Sequence, residues 1–410
     1  MTQHPYKESD LVLFDDVVAG HDGVLSDVAG EVVIKPCTPA EISFYESANA
    51  FHPAVAAYMP TFMGQLELSP QQSLRDPTAM ANAHLKSVQA ASEATGPRAK
   101  NESQSHGHGV DHGAGASPEA PLQPQLYGFS RGRKLDTNVC IVLSNAAADF
   151  YRPNVLDVKL GSVMCDSSAE PMKRARLEKV AADTTSSSLG FRISGMKVWQ
   201  GHAAEGDEGL DAEGYRVFGK MYGRSFDAKT VVEGFEDFLF VERAGITQAM
   251  GQAVARKLRR EIEGIRSVLE GDESRMYGAS ILCVYEGDPQ ALDAALQGEN
   301  ELELRRIQAP THQEKDVKPP RTITEYHDHE NDSDDDEGHD EEESEQGSAK
   351  TRRSHVVKLI DFAHASWTPG QGRDENVLKG VRNVSSILDE FGQGRTAALI
   401  APCSQEKVPS

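Results

Sequence analysis

Charged residues at three places in this chain stand where strands could deliver them to a reaction. Lys35 closes the β-branched run Glu31-Val-Val-Ile-Lys-Pro36. It follows the turn-like Gly20-His-Asp-Gly23 and precedes a helix-like segment bearing Glu41 and Glu46. A strand lysine tied to a helical glutamate is one way to grip the α- and β-phosphates of a nucleotide; a lone lysine here is otherwise ordinary surface. Asp157 and Lys159 lie two apart in Val155-Leu-Asp-Val-Lys-Leu160. They share one strand face, while Leu156, Val158 and Leu160 share the other. A charged pair on an apolar strand is costly unless exposed or used; an ion pair and a catalytic pair fit equally well. Asp361 ends the apolar run His355-Val-Val-Lys-Leu-Ile-Asp361, ahead of Phe362-Ala-His364. An acid in that place suits a magnesium ligand or the cap of the next turn.

Their order carries more than each alone. Strand lysine, helix glutamate, the apolar strand Ile141-Val-Leu143, Asp-x-Lys and then Asp-Phe is the layout of a two-lobed kinase. The protein-kinase signatures are missing: there is no GxGxxG and no HRD loop, and Ala363 stands where a DFG glycine would be. The acceptor is therefore not expected to be a protein hydroxyl. Gly214-Tyr-Arg-Val-Phe-Gly-Lys220 nearly completes a phosphate-cradling loop, but Met221 follows where Ser or Thr would ligate magnesium. His106, His108 and His112 sit in a Gly/Ser tract with no acid or cysteine framework to fix a metal.

These side chains need strands and helices to hold them. Thr38 is a natural N-cap for a helix from Pro39, with Glu41 as its capping-box partner. Asn138–Leu143, Val155–Leu160 and Ser280–Tyr285 read as buried-type strands. Met250, Val254, Leu258, Ile262, Ile265 and Leu269 recur at helical spacing over 247–270, with Gly271 as a stop. A final helix is expected over 376–392. Residues 66–124 show little periodicity and read as a loop or insertion, with a helix near 78–92. The tract 308–353 reads as a solvated acidic linker.

Composition bounds the rest. The 410 residues allow two or three units. The net charge of −22, with ten acids in 331–345 alone, argues against coating nucleic acid by phosphate neutralisation. Five scattered cysteines without a CxxC pair argue against a disulfide framework and a cysteine zinc site. No apolar run reaches membrane-spanning length and the start lacks a signal-peptide core. A soluble intracellular protein is expected.

At this point the residues resemble the inositol polyphosphate kinase family. Its PxxxDxKxG signature is complete in Pro153, Asp157, Lys159 and Gly161. Ser187-Ser-Leu-Gly-Phe-Arg-Ile-Ser-Gly-Met-Lys-Val-Trp199 resembles its SLGFRxxGMxVY block, Tyr222-Gly-Arg-Ser225 its YGRSL, and Lys358-Leu-Ile-Asp-Phe-Ala-His364 its IDFAH. Tyr277–Glu286 is similar to its SSLLF strand, with Ala279 for the first serine. Ala19-Gly-His21, Glu41-Ile-Ser-Phe-Tyr45 and Gly380-Val-Arg-Asn383 fit its outer motifs. Hexakisphosphate kinases continue the Asp-x-Lys strand as MGTRQ; here it reads Leu160-Gly-Ser-Val-Met164. The resemblance is nearest to the multikinase branch, in a fungal-looking form with an acidic insertion.

The resemblance implies an α+β fold with two kinase-like lobes and ATP in the cleft. An antiparallel-sheet N-lobe would span 1–142 with a disordered insertion at about 95–120. A larger α+β C-lobe would span 143–400, with an acidic disordered insertion at about 310–352. It implies ATP-dependent phosphorylation of inositol trisphosphate and tetrakisphosphate to the tetrakis- and pentakisphosphate. The alternatives are a hexakisphosphate kinase making pyrophosphates, or a nuclear or transcriptional scaffold with secondary kinase activity. ATP and Mg²⁺ would be the cofactors. Lys35 would hold ATP phosphates, backed by Glu41 (or Glu46 if the helix is phased differently). Leu143-Ser-Asn145 would be the adenine hinge. Asp157 would orient the ribose or the reacting groups, and Lys159 would bridge the γ-phosphate and the inositol. Asp361 would ligate Mg²⁺ with Ser280 nearby, and His364 would touch the substrate. Within 166–186, Lys173, Arg176 and Lys179, with Arg174 between them, would meet its phosphates. Also expected are a monomer in nucleus and cytoplasm, nuclear protein partners through the acidic insertion, no direct nucleic-acid binding and no transmembrane segment.

Overall fold

The computed structural model describes residues 11–14, 23–68, 137–203, 207, 209–308 and 353–395. The helix expected near 78–92, the insertions at 95–120 and 310–352, Ala19-Gly-His21 and the three histidines at 106, 108 and 112 lie outside them.

Among the described residues two five-stranded antiparallel sheets organise the chain. The first contains β1 (Leu11–Leu13), β2 (Leu25–Asp27), β3 (Val32–Pro36), β4 (Phe62–Glu67) and β5 (Val139–Ser144), ordered β1-β2-β3-β5-β4. Val32, Ile34, Cys140 and Val142 face a small outer core with Leu11 and Leu68. On the other face Ile141 and Leu143 join the main core, and Lys35 lies directly across from Ile141. Directly opposed residues of an antiparallel pair share a face, so the lysine looks toward the second lobe. Helix α1 (Pro39–Phe51) packs on that side, burying Ile42, Phe44, Tyr45 and Ala48. Thr38 caps it by accepting from the Glu41 N–H at 3.3 Å. The second half of the expected capping box does not form, because the Glu41 carboxylate turns to Lys35 instead.

The second sheet is ordered β11-β10-β6-β7-β8, from β6 (Pro153–Leu160), β7 (Phe191–Trp199), β8 (Tyr215–Phe218), β10 (Ser280–Glu286) and β11 (His355–Ile360). The near-P-loop around Gly214 is therefore strand β8, consistent with Val217 and Phe218 suiting a packed segment. Between β6 and β7 run α3 (Pro171–Ala182) and α4 (Thr185–Leu189); α5 (Lys220–Arg224) and α6 (Val231–Leu239) follow β8. Helix α7 (Gln248–Gly271) buries Val254, Leu258, Ile262, Ile265 and Leu269 on one stripe, the pattern its sequence spacing announces. It runs through Gly271, and its cap is the extended Asp272. Each such apolar side chain removed from water contributes about 1.5–3 kcal/mol. Strand β9 (Ser274–Met276) pairs with β12 (Ala365–Trp367), α8 (Pro289–Gln308) follows β10, and α9 (Glu375–Gly392) packs against α7.

β5 runs to Ser144, two residues past the expected lobe boundary, and 145–152 link the sheets. The lobes also touch through α2 (Pro53–Ala56) and the residues after it. Leu359 N–H on β11 donates to Tyr58 O at 2.7 Å, and Lys358 Nζ donates to Ala57 O at 3.0 Å. No helix among the described residues is long and apolar enough to cross a membrane.

Candidate active site

Strand register brings the three charged positions together. In the second sheet Ser280 on β10 lies across from Lys159 on β6 and from Ile360 on β11. Asp361 is the residue after Ile360, so it comes alongside Lys159, which is 202 positions earlier. Lys35 reaches in from the first sheet. Its Nζ lies 2.8 Å from Asp361 Oδ1 and 2.9 Å from Glu41 Oε1. Lys159 Nζ lies 3.1 Å from Asp361 Oδ2 and donates to Gly278 O at 2.8 Å. One carboxylate thus bridges two lysines from different lobes.

The electrostatics follow. Burial would raise the Asp361 carboxyl, but Lys35 and Lys159 outweigh it and hold it well below the usual carboxylate range. Burial likewise opposes charge on Lys35, and Asp361 and then Glu41 more than reverse this, raising it above an ordinary lysine. Asp157 fares differently. It is 3% exposed, and burial pushes it up to about 6 against the opposing pull of Lys159, with Asp361 adding to the rise. The ion pair within the strand does not form: Lys159 turns to Asp361, and Asp157 Oδ1 is buried without a hydrogen-bond partner. The expected two-faced strand is thus covered on both faces, with a bulge opposite β7 between Asp157 and Val158.

Two more oxygens around the bridge are buried and unpartnered: Ser280 Oγ, on a residue with no exposed surface, and Glu41 Oε2. Asp361, with Ser280 one strand position away across from Ile360, offers oxygen donors of the kind a hard divalent cation takes. Among the described residues no group of three or more His, Cys, Asp or Glu is arranged to hold a metal by itself. That suits an ion bound by one or two carboxylates and completed by phosphate oxygens.

The remaining sequence candidates divide. Lys173 on α3 sets its Nζ 3.3 Å from His364 Nε2, which joins that helix to the Asp361 segment. Lys179 pairs with Asp183 at 3.0 Å, and both are well exposed. Arg176 is exposed, and Arg174 braces its own loop by donating to Ala169 O at 3.1 Å and to Ser167 O. The basic helix face is real, but only Lys173 is seen to join the centre. Leu143 is buried against Val33 and Phe62 in register. The Asn145 amide is engaged at both ends, donating to Gly30 O at 2.7 Å and accepting from Ala147 N–H at 2.9 Å. Of this segment, the Asn145 side chain serves the link between lobes and is not presented to a base.

Arg192 and Arg224 join the site without a local sequence signal of their own. Arg192, directly across β7 from Lys159, donates to Ser186 Oγ and lies against Met164 Sδ, both at 3.2 Å. Burial and then Arg224 lower it to about 10, while Asp157 acts the other way. Arg224 on α5 has its Nε buried without a partner. The Arg224 charge opposes that of Arg192, and an anion between these two half-buried guanidinium groups would relieve the repulsion. The only signal was their place in two of the family's motif blocks.

Comparison with known proteins matches this architecture. The family model described as inositol polyphosphate kinase matches residues 140–389. The inositol polyphosphate multikinase of Saccharomyces cerevisiae is 30% identical over 399 residues, covering 91% of this chain and 96% of that one. Human inositol hexakisphosphate kinase 1 is 25% identical over 262 residues, covering 61% and 52%. A crystal structure of the S. cerevisiae inositol phosphate multikinase with ADP and Mn²⁺ superposes with a TM-score of 0.51 at 23% identity. It covers 88% of this chain and 99% of that one, and it establishes the two-lobed α+β fold.

Proposed function

The chain belongs to the inositol polyphosphate kinase family, and we propose that it is an ATP-dependent multikinase carrying inositol trisphosphate through the tetrakis- to the pentakisphosphate. The observation that supports this best is the Lys35–Asp361–Lys159 bridge, which sets two cations and a carboxylate from both lobes around one point. Phosphoryl transfer asks for positioning and charge neutralisation more than covalent chemistry. Lys35, fixed by Glu41, holds the nucleotide phosphates from the first lobe. Lys159 faces the transferred group from the second, and Arg192 and Arg224 behind it neutralise acceptor phosphates. A divalent cation on Asp361 and Ser280 would draw charge from the phosphoryl oxygens. Asp157, raised to about 6, is a carboxylate that can take a hydroxyl proton near neutral pH. Lys173 and His364 supply a cationic and an imidazole contact for the ring phosphates.

The multikinase reading is favoured over the hexakisphosphate kinase one by coverage. The yeast multikinase aligns along nearly the whole chain, whereas the human hexakisphosphate kinase aligns over part of it. The test is anion-exchange analysis of products from labelled inositol trisphosphate and, separately, from the hexakisphosphate. Tetrakis- and pentakisphosphate peaks from the first, with no pyrophosphate from the second, are expected. Lys159→Ala and Asp361→Asn should each abolish turnover in a folded protein. Parental rates in either would refute the assignment.

A further inference from the structure

Asp361 is the one non-glycine among the described residues at positive φ, +69°. A side chain rarely rests there unless its surroundings hold it. What holds it is visible in the next residue. Phe362 is fully buried, stacked on Phe44 with ring centroids 5.0 Å apart and meeting the edge of Tyr45 at 5.3 Å. The other face of Phe44 lies on Trp367 at 4.6 Å, and Trp367 lies under His52 at 3.5 Å, all nearly parallel.

The column interleaves the lobes. His52, Phe44 and Tyr45 belong to α1 or the residue after it, while Trp367 and Phe362 belong to the segment carrying Asp361. The His52–Trp367 end is anchored. Trp367 Nε1–H donates to Ser47 Oγ at 2.9 Å, and the Ser47 hydroxyl donates to Phe44 O at 3.0 Å. His52 Nδ1 lies 2.7 Å from Asp272 Oδ1 at the end of α7, and Trp367 pairs in register with Ser274 of β9. Phe44 and Tyr45 stand three and four positions after Glu41, on the same side of the helix. The rings therefore set the height and phase of α1, and with them the Glu41 contact to Lys35. They also set the backbone that presents Asp361.

Resting on the kinase reading above, we propose that Trp367 is a positioning residue for the reaction. Its indole locks the nucleotide-gripping pair Lys35–Glu41 and the carboxylate Asp361 into one rigid unit. Simple glue between lobes would cost stability without touching nucleotide or metal parameters selectively. A positioning role shows in the divalent-cation concentration giving half-maximal rate, and in the KM for ATP.

The experiment measures both constants, with kcat and melting temperature, for the parent, Trp367→Leu, Trp367→Phe and Ser47→Ala. Trp367→Leu should raise half-saturating cation about ten-fold and lower kcat, because sub-ångström misplacement of reacting groups is costly. Trp367→Phe keeps a ring in the column but loses the indole N–H, and should raise half-saturating cation by only about two- to three-fold. Ser47→Ala and Trp367→Phe both remove the indole–Ser47 hydrogen bond, so their effects should fall short of additive when combined. A folded Trp367→Leu with parental cation dependence and ATP KM overturns the proposal. If that variant does not fold, Ser47→Ala decides: a rise of about two- to three-fold supports it and none overturns it. Absence of turnover in the parent would refute the kinase reading instead.

Discussion

Asp157→Asn should make the ligand-free protein more stable at neutral pH while removing its activity. The carboxyl is 3% exposed and lifted from 3.8 to about 6, first by burial and then by Asp361, against the pull of Lys159. Between those values the folded chain keeps a proton that the unfolded chain has released. Unfolding then releases it, so the group's contribution to stability is complete below pH 4 and is lost as pH rises through 6. Each pH unit between the folded and unfolded values is worth about 1.4 kcal/mol, so about 3 kcal/mol is lost by pH 7. A neutral isostere escapes that loss. It leaves an amide N–H₂ beside Lys159 and Arg192, which reduces the expected gain to about 1–2 kcal/mol. Urea denaturation of parent and variant from pH 4 to 8, without nucleotide or divalent cation, gives the difference directly. The variant should be about 1–2 kcal/mol less stable than the parent at pH 4, where only the amide cost acts, and about 1–2 kcal/mol more stable by pH 7, while kcat falls about 10²-fold or more. A variant destabilised at pH 7.5, or a difference that is flat with pH, would refute the reasoning.

Lys35→Met should destabilise by about 1–3 kcal/mol, because it strands Glu41, which is 1% exposed and already carries one unpartnered oxygen. Adding Glu41→Gln should recover part of that loss but none of the activity; a double variant no more stable than the single one would count against the pairing. Gly161→Ala should cost about 1–3 kcal/mol, since Gly161 has φ +85° and an added Cβ would sit 2.5 Å from Asn376 Nδ2. The Asn376 side chain also fixes the loop after Lys159, accepting from the N–H groups of Ser162 and Val163 at 2.9 Å each. Lower kcat/KM for the inositol substrate should accompany the stability loss, and steady-state kinetics on the folded variant would check it.

Much of the centre was legible because its chemistry lies on strands. A lysine ending a β-branched run and an acid ending an apolar one declare themselves without any partner. Their meeting was not legible, because it depends on β10 placing Ser280 between Lys159 and Ile360. The capping box gave way to the expected Lys35–Glu41 pair, and only Lys159 was drawn off by a charge far along the chain, leaving Asp157 for Asp361. On the basic helix, Lys179 pairs with Asp183 one turn along. Phe44 and Trp367 stack from positions too far apart for any periodicity to report.

A last consequence concerns charge. The protein carries −22, and its acceptor is itself a polyanion, so the long-range field repels what the site must bind. The opposing cations are of two kinds. Lys159, Arg192 and Arg224 are half-buried, whereas Arg176 and Lys179 are solvent-exposed. Salt screens the two unequally: at about 0.1 M the Debye length is near 10 Å, so exposed and distant charges weaken while buried contacts hardly change. If the half-buried set carries binding, raising NaCl from about 50 to 200 mM at fixed free Mg²⁺ should leave the KM for inositol trisphosphate level or lower it, because repulsion is screened first. A KM rising several-fold over that range would assign the acceptor to the exposed helix face of α3, and Arg176→Ala with Lys179→Ala would then abolish the salt dependence.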